Sequence, residues 1–201
     1  MLAFDSSGPW CRAALLLADR VFLHEEAMDK GQAERLMPML ESLLAEAGIG
    51  WADLRTLAVG TGPGNFTGVR IAVAAARGLA LGLGIPVVGV TRLEAAAHGL
   101  PRPLRVTQDA RRGEIYVQDF LADGPGQARI APAGADASPI PIPVTGTAAG
   151  LGALDPAMPL AEAIARIGAT RARTPQSRPA PFYLRSADAA PPSDPPLVIL
   201  P

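Results

Sequence analysis

Cysteine, histidine and lysine are scarce in this sequence, and each shortage closes a class of function. A single cysteine, Cys11, leaves no internal disulfide and no cysteine-rich zinc site. The two histidines, His24 and His98, stand far apart with no ligand spacing around them, so a protein-only metal centre is not expected. Lys30 is the sole lysine among 18 cations, and with 19 acids the formal net charge is −1. That balance excludes strong nucleic-acid binding by the chain alone, because such affinity comes mainly from many phosphate contacts. No apolar run approaches the roughly 20 residues of a membrane span. Met1-Leu2-Ala3-Phe4-Asp5 carries neither the basic nor the apolar segment of an export signal, so a cytoplasmic protein without membrane contact is expected.

Apolar residues are plentiful, at 49% of 201 positions. A chain of this length builds one core or two small lobes of about 100 residues each. The pattern favours two lobes, residues 1–100 and a smaller one over 101–185, followed by a proline-rich tail over 186–201.

Leu2–Asp5 reads as a strand closed by the turn formers Ser6 to Pro9, and Arg12–Leu17 with Val21–Glu26 reads as a hairpin. From Gln32 to Ala47 the apolar positions recur at helical spacing, leaving Glu34 and Glu41 opposite. Pro38 lies inside this run and is expected to kink it or mark a start. A strand over Thr56–Gly60, a helix over Gly68–Leu83, a strand over Pro86–Val90 and a short helix over Arg92–His98 follow. Strands then resume at Leu104–Gln108 and Glu114–Leu121, as a second copy of the unit would require. In that copy only a strand over Ile140–Val144 and a helix over Leu160–Ile167 are apparent.

Two turns could carry chemistry. Val59 to Arg70 joins a strand to a helix through Gly60, Gly62, Gly64 and Gly68, and Asn65 or Thr67 can cap that helix. Free amides at a helix start suit an anion. The segment lacks the lysine of a P-loop and the third glycine of the dinucleotide fingerprint, so a plain turn and a phosphate cradle both remain open. Asp5-Ser6-Ser7-Gly8 ends the first strand, where an acid and hydroxyls can hold a magnesium phosphate through water or simply shape the turn. The candidates for nucleotide contact are therefore Asp5, Ser6, Gly62 and Gly64. No nucleophile and base stand at a motif spacing.

The helix over Gly68–Leu83 is apolar nearly all round, with Arg70 and Arg77 its only charges. A helix apolar on every side is buried on every side. One side can pack on a sheet; the other needs a second helix or another chain. Arg70 and Arg77 share one stripe, as do Glu34 and Glu41 on the preceding helix. The predicted partner interface is Glu34, Met37, Glu41, Arg70, Val73, Ala74, Arg77, Gly78 and Leu81, with apolar area supplying most of the affinity.

Leu2–Ser7, Gln32–Leu40 and the block Ala58–Leu83 resemble the TsaB family, also called YeaZ. Asp109-Ala110-Arg111-Arg112-Gly113-Glu114-Ile115-Tyr116 and Phe182-Tyr183-Leu184-Arg185 are similar to its later signatures, so the likeness spans about residues 1–185. It implies an α/β, actin/Hsp70-like (ASKHA, ribonuclease H-like) two-lobe fold with an abbreviated second lobe. It also implies a noncatalytic role in forming N6-threonylcarbamoyladenosine in tRNA. In that family the catalytic sister subunit TsaD holds the metal and transfers the group, the ATPase TsaE joins, and tRNA is held by the complex. The resemblance thus places ATP, magnesium and the metal in the partner subunits, leaves this chain without a cofactor of its own, and includes homodimers through the same helical surface. Gln32 stands where relatives commonly carry histidine, and Ser6 where threonine is usual. The competing reading, from Asp5-Ser6 and the glycine-rich turn, is a small independent ATPase or kinase of the same fold. A metalloprotease-like activity fails for want of histidines.

Overall fold

Leu2–Asp5 forms the first strand, β1, with every residue buried, and Trp10–Leu17 and Arg20–Ala27 form the hairpin β2 and β3. The computed structural model describes residues 1–134 and 142–185. The tail expected over 186–201, and Ile140 and Pro141 of the strand expected over Ile140–Val144, lie outside the described residues.

β1 pairs antiparallel with β2, Leu2 opposite Leu15 and Phe4 opposite Ala13. On its other edge it pairs in parallel with β4, Leu57–Gly60, and β4 pairs in parallel with β5, Val87–Val90. The first sheet is ordered β3-β2-β1-β4-β5. Helix α1 is Gln32–Glu46, and α2, Phe66–Leu83, supplies the crossover that two parallel strands require. Helix α3, Arg92–Ala97, leads to the second sheet, built on the hairpin β6, Leu104–Arg111, and β7, Glu114–Leu121. Short strands β8, Gly124–Pro125, and β9, Arg129–Pro132, extend β7, and β10, Val144–Thr145, lies parallel to β6. Helix α4, Leu160–Arg171, is the last helix of the described residues.

Alternation along β1 explains the layering, since successive side chains point to opposite faces. Leu2 and Phe4 face α1 and α2, where Leu36, Met39, Leu40 and Leu43 of α1 and Val69, Ala72, Val73 and Ala76 of α2 complete one core. Ala3 points the other way and, with Ala14 and Ala58, makes a small-residue floor on which Ala161, Ile164, Ala165 and Ile167 of α4 sit. A third core joins Leu93 and Ala97 of α3 to Leu104, Val106, Tyr116 and Phe120. Two sheets, the first flanked by helices on both faces and the second reduced, give the α/β actin-like (ASKHA) fold that the resemblance implied.

Two expectations need revision. The run around Leu160–Ile167, assigned by its position in the chain to the second lobe, packs on the first sheet, so the first layered unit does not end near residue 100. Periodicity shows that α4 has an apolar face, but only the alanine-lined side of the first sheet lets its backbone come close: a Cβ on Gly168 would meet Ala58 Cβ at 2.6 Å. Pro38 neither starts nor ends α1, which runs through it. Pro38 and Glu34 are both exposed, so water can serve the Glu34 carbonyl that the missing donor leaves open.

By length and apolarity α2 passes as a short membrane span, with mean hydropathy 1.4 over Phe66–Leu83. Its inner face, Val69, Ala72, Val73, Ala76 and Ala80, packs into the core on the first sheet, while its outer face is exposed.

Candidate partner surface and the strand–helix turn

The end of β1 and the start of α2 meet so closely that side chains are excluded between them. A Cβ on Gly68 would overlap the Ser6 carbonyl oxygen, one on Gly64 the Ser7 carbonyl oxygen, and one on Gly60 the Asp5 carboxylate. Gly62 has φ +90°, a left-handed conformation that glycine adopts without a Cβ penalty. The Asn65 amide donates to the Ser7 carbonyl at 2.6 Å, and the Asn65 side-chain oxygen caps α2 by accepting from the Gly68 amide at 3.0 Å.

Of the four candidate nucleotide contacts, this arrangement gives the polar ones internal partners. Asp5, Ser6 and Ser7 are buried. The Ser6 hydroxyl donates to the Gly68 carbonyl at 2.8 Å, and the Ser7 hydroxyl donates to Asp5 Oδ1 at 2.5 Å. Gly62 and Gly64 bring their loop against Arg92, whose amide donates to the Gly62 carbonyl at 2.7 Å and whose guanidinium donates to the Pro63 carbonyl at 3.3 Å. As placed, the acid, the hydroxyls and the loop serve one another.

Arg92 is the residue that sequence reasoning missed. It follows Thr91, the N-cap of α3, and in sequence it looks like any helix-start arginine. In the fold it is buried, its guanidinium lying against Gly8 and Gly64 between the two turns. The side-chain amide of Gln108, on β6, donates to the Arg92 carbonyl at 3.3 Å and so links the turn to the second sheet. Arg92 Nε and Gln108 Oε1 are buried with no partner among the described residues. No cluster of three or more potential metal-ligating side chains occurs among them either.

The outer side of α2 is different. Arg70, Ala74, Gly78 and Leu81 are exposed, Leu81 to 82%, although the helix is apolar. With Val73 and Arg77 they line a shallow groove of about 410 Å³, whose other wall is Arg178 and Pro181. Six of the nine predicted interface residues thus come together in one feature. Glu34 and Glu41 are exposed on the neighbouring helix α1, while Met37 is half-buried and packs against the first core.

The far wall was not legible in sequence. Residues 178–183 return to the first lobe and are tied there, the Phe182 amide donating to the Thr61 carbonyl at 2.8 Å. Arg70 stacks 3.6 Å from the centre of the Phe66 ring and donates from Nε to the Tyr183 hydroxyl at 3.0 Å. Phe66 and Tyr183 themselves lie 4.9 Å apart as tilted rings. The groove is therefore apolar along its floor, walled by three arginines, and lined by no carboxylate.

Cys11 is buried between the first sheet and the helices, and burial, reinforced by Glu26, pushes its thiol up to about 11.

Comparison with known proteins agrees with this geometry. The sequence profile described as "TsaD: tRNA N6-adenosine threonylcarbamoyltransferase" matches residues 25–137. The tRNA threonylcarbamoyladenosine biosynthesis protein TsaB of Escherichia coli is 37% identical over 131 residues, 63% of this chain and 57% of that protein. The TsaB of Bacillus subtilis is 38% identical over 123 residues, 58% of this chain and 52% of that one. The matched part of the chain thus spans little more than half the length of these curated relatives. Among solved structures, YeaZ from Pseudomonas aeruginosa superposes with a TM-score of 0.74 at 29% identity, covering 91% of this chain and 98% of that one. A second Pseudomonas aeruginosa structure, described as similar to peptidase YEAZ, gives 0.76 at 29% identity over 92% and 98%. The chain therefore belongs to the TsaB/YeaZ family, within the wider sequence family that the TsaD profile describes.

Proposed function

We propose that this chain is the noncatalytic pairing subunit of a bacterial complex that forms N6-threonylcarbamoyladenosine in tRNA, and that it docks a TsaD-like catalytic subunit through the outer faces of α1 and α2. The observation that carries the reading is the exposed groove of α2 with Leu81 at its end, on a chain whose relatives bear the TsaB name. In this reading the chain does no chemistry itself and binds no cofactor alone. ATP with magnesium and the catalytic metal belong to the partner subunits, a TsaE-like ATPase joins the pair, and tRNA is held by the assembly in the cytoplasm. The same face serves when two copies of the chain pair.

Physical chemistry supports a protein partner here. A stable interface buries about 800 Å² on each side, and adjacent helices presenting small residues allow close approach over such an area. Ala74 and Gly78 leave room for a facing helix, and a Cβ on Gly78 would meet nothing within 4 Å. Glu34 and Glu41 on α1 and Arg70 and Arg77 on α2 set complementary rims, which steer association more than they strengthen it.

Leu81 supplies the test. Burying a leucine contributes about 1.5–3 kcal/mol, so Leu81→Ala should weaken pairing with the catalytic subunit by roughly ten- to a hundredfold. Its own fold should be nearly unaffected, since an exposed substitution changes stability by about 0.5 kcal/mol or less. Calorimetry of the two purified subunits measures the affinity, and thermal melting checks the fold. Unchanged affinity in Leu81→Ala and in Leu81→Glu would remove this face from the pairing.

A further inference from the structure

We infer that β3 is a second pairing surface, along which two copies of the chain join antiparallel, Leu23 against Leu23, so that their first sheets become one continuous sheet. The joint uses no residue of the α2 groove and does not rest on the docking role proposed above.

Among the described residues, β3 is the longest sheet edge left open. It holds eight residues, pairs on one side with β2, and keeps its register from Trp10 opposite Ala27 to Leu17 opposite Arg20. The opposite edge of that sheet, β5, has four residues, and a Cβ on its Gly89 would meet Pro179 Cβ at 3.4 Å. In the second sheet β8 and β10 have two residues each, and β9 has four and ends in proline. Short strands, prolines and bulges blunt an edge against further pairing. Arg20–Ala27 has neither a proline nor a bulge.

The ladder shows what that edge offers. The Met28 amide donates to the Pro9 carbonyl at 3.1 Å, and bonded pairs alternate along antiparallel strands, so Glu26, His24, Phe22 and Arg20 also spend their backbone groups on β2. Val21, Leu23 and Glu25 therefore aim theirs outward, and Leu23 is 41% exposed besides. Setting Leu23 opposite its own copy matches outward groups to outward groups, places Val21 opposite Glu25, and places Arg20 opposite Glu26. Arg20 is exposed, and the Glu26 carboxylate is already held by Arg35 of α1, so at each end an arginine meets a fixed charge of opposite sign. A shift of two residues loses that match, setting Arg20 opposite His24 in one direction and opposite Met28 in the other. The charges thus select a second copy, and this register of it.

The test starts from the full-length chain carrying Leu81→Glu, which disables the α2 face. Two strand edges bury little area, so this chain should dimerise weakly, with a dissociation constant on the order of 100 μM by sedimentation equilibrium. Adding Leu23→Pro removes a backbone donor that β2 does not use, so the fold should melt as before while dimerisation weakens by about tenfold or more. Thiols check the register, since Cys11 is buried. Residues facing each other in a bonded pair have Cα atoms about 5.5 Å apart, within disulfide reach, whereas the two copies of residue 21 would stand about 13 Å apart along the strands. Glutathione disulfide should therefore link Leu23→Cys chains to one another about tenfold faster, or more, than Val21→Cys chains at about 100 μM. A Leu81→Glu chain that stays monomeric up to about 1 mM, dimerisation untouched by Leu23→Pro, or equal linking rates overturns the joint. If Leu81→Glu instead keeps full affinity for the catalytic subunit, it is the docking role that fails, and selective linking at Leu23→Cys still upholds the joint.

Discussion

Two alanine substitutions in one helix should have opposite signs. Gly68 and Gly78 both lie in α2, and helix propensity alone favours replacing either by alanine, by up to about 1 kcal/mol. At Gly78 nothing obstructs the new methyl, so Gly78→Ala should stabilise the fold by roughly 0.5–1 kcal/mol. At Gly68 the methyl would sit on the Ser6 carbonyl oxygen, with the carbonyl carbon at 3.0 Å and Ser7 Cα at 3.4 Å. Carbon and oxygen normally approach to about 3.3 Å, so either the turn after β1 or the first turn of α2 must move. Movement breaks the bonds that lock them, from the Ser6 hydroxyl to the Gly68 carbonyl and from the Asn65 amide to the Ser7 carbonyl. Each is worth about 1 kcal/mol net, and more if its groups are left buried without partners. Gly68→Ala should therefore cost about 2–4 kcal/mol. Urea unfolding gives the comparison directly, as a midpoint shift at constant slope. If Gly68→Ala is as stable as Gly78→Ala, the close contact of the two turns, and with it the account of the Asp5–Ser7 segment as self-engaged, is wrong.

Two further outcomes follow from a buried thiol and a half-buried imidazole. Cys11, with its thiol pushed up to about 11 by burial, should resist thiol reagents at neutral pH until the chain unfolds, so labelling should track the unfolded fraction; rapid labelling of the native chain would contradict its placement. His98 is held below its ordinary value by burial and by the Arg166 guanidinium, with Arg102 adding to the effect and Glu94 opposing it. The folded state therefore binds its proton less readily than the unfolded one. The associated stability is complete above about pH 6.5 and is lost as pH falls through the folded midpoint. Proton NMR of the imidazole should place that midpoint below 6.5, and His98→Gln should flatten the loss; a midpoint at or above 6.5 refutes the burial argument.

Much of the first lobe could be read from residues. Alternation in Leu2–Asp5, the hairpin turning at Asp19, and the helical spacing of Leu36, Leu40 and Leu43 are local patterns, and the structure keeps each within a few residues. The composition of α2 announced a helix with more apolar surface than one sheet face can hide, and Ala74, Gly78 and Leu81 are indeed exposed. The short strands β8 and β9 escaped notice, being two and four residues long and without clear alternation.

Sequence by itself determined the longer strands and the helices, and the surplus of apolar surface on α2, because both depend on residues a few positions apart. Tertiary structure alone decided that α4 crosses to the first sheet, that Arg92 is buried between the two turns, and that residues 178–183 wall the groove. Those outcomes join positions dozens of residues apart, and they are selected by shape: an alanine-lined sheet face for α4, glycine gaps beside Arg92, and the Phe66 and Tyr183 rings on either side of the contact with Arg70. Periodicity along a chain carries no information about such matches, since it states that a face is apolar without saying what will cover it.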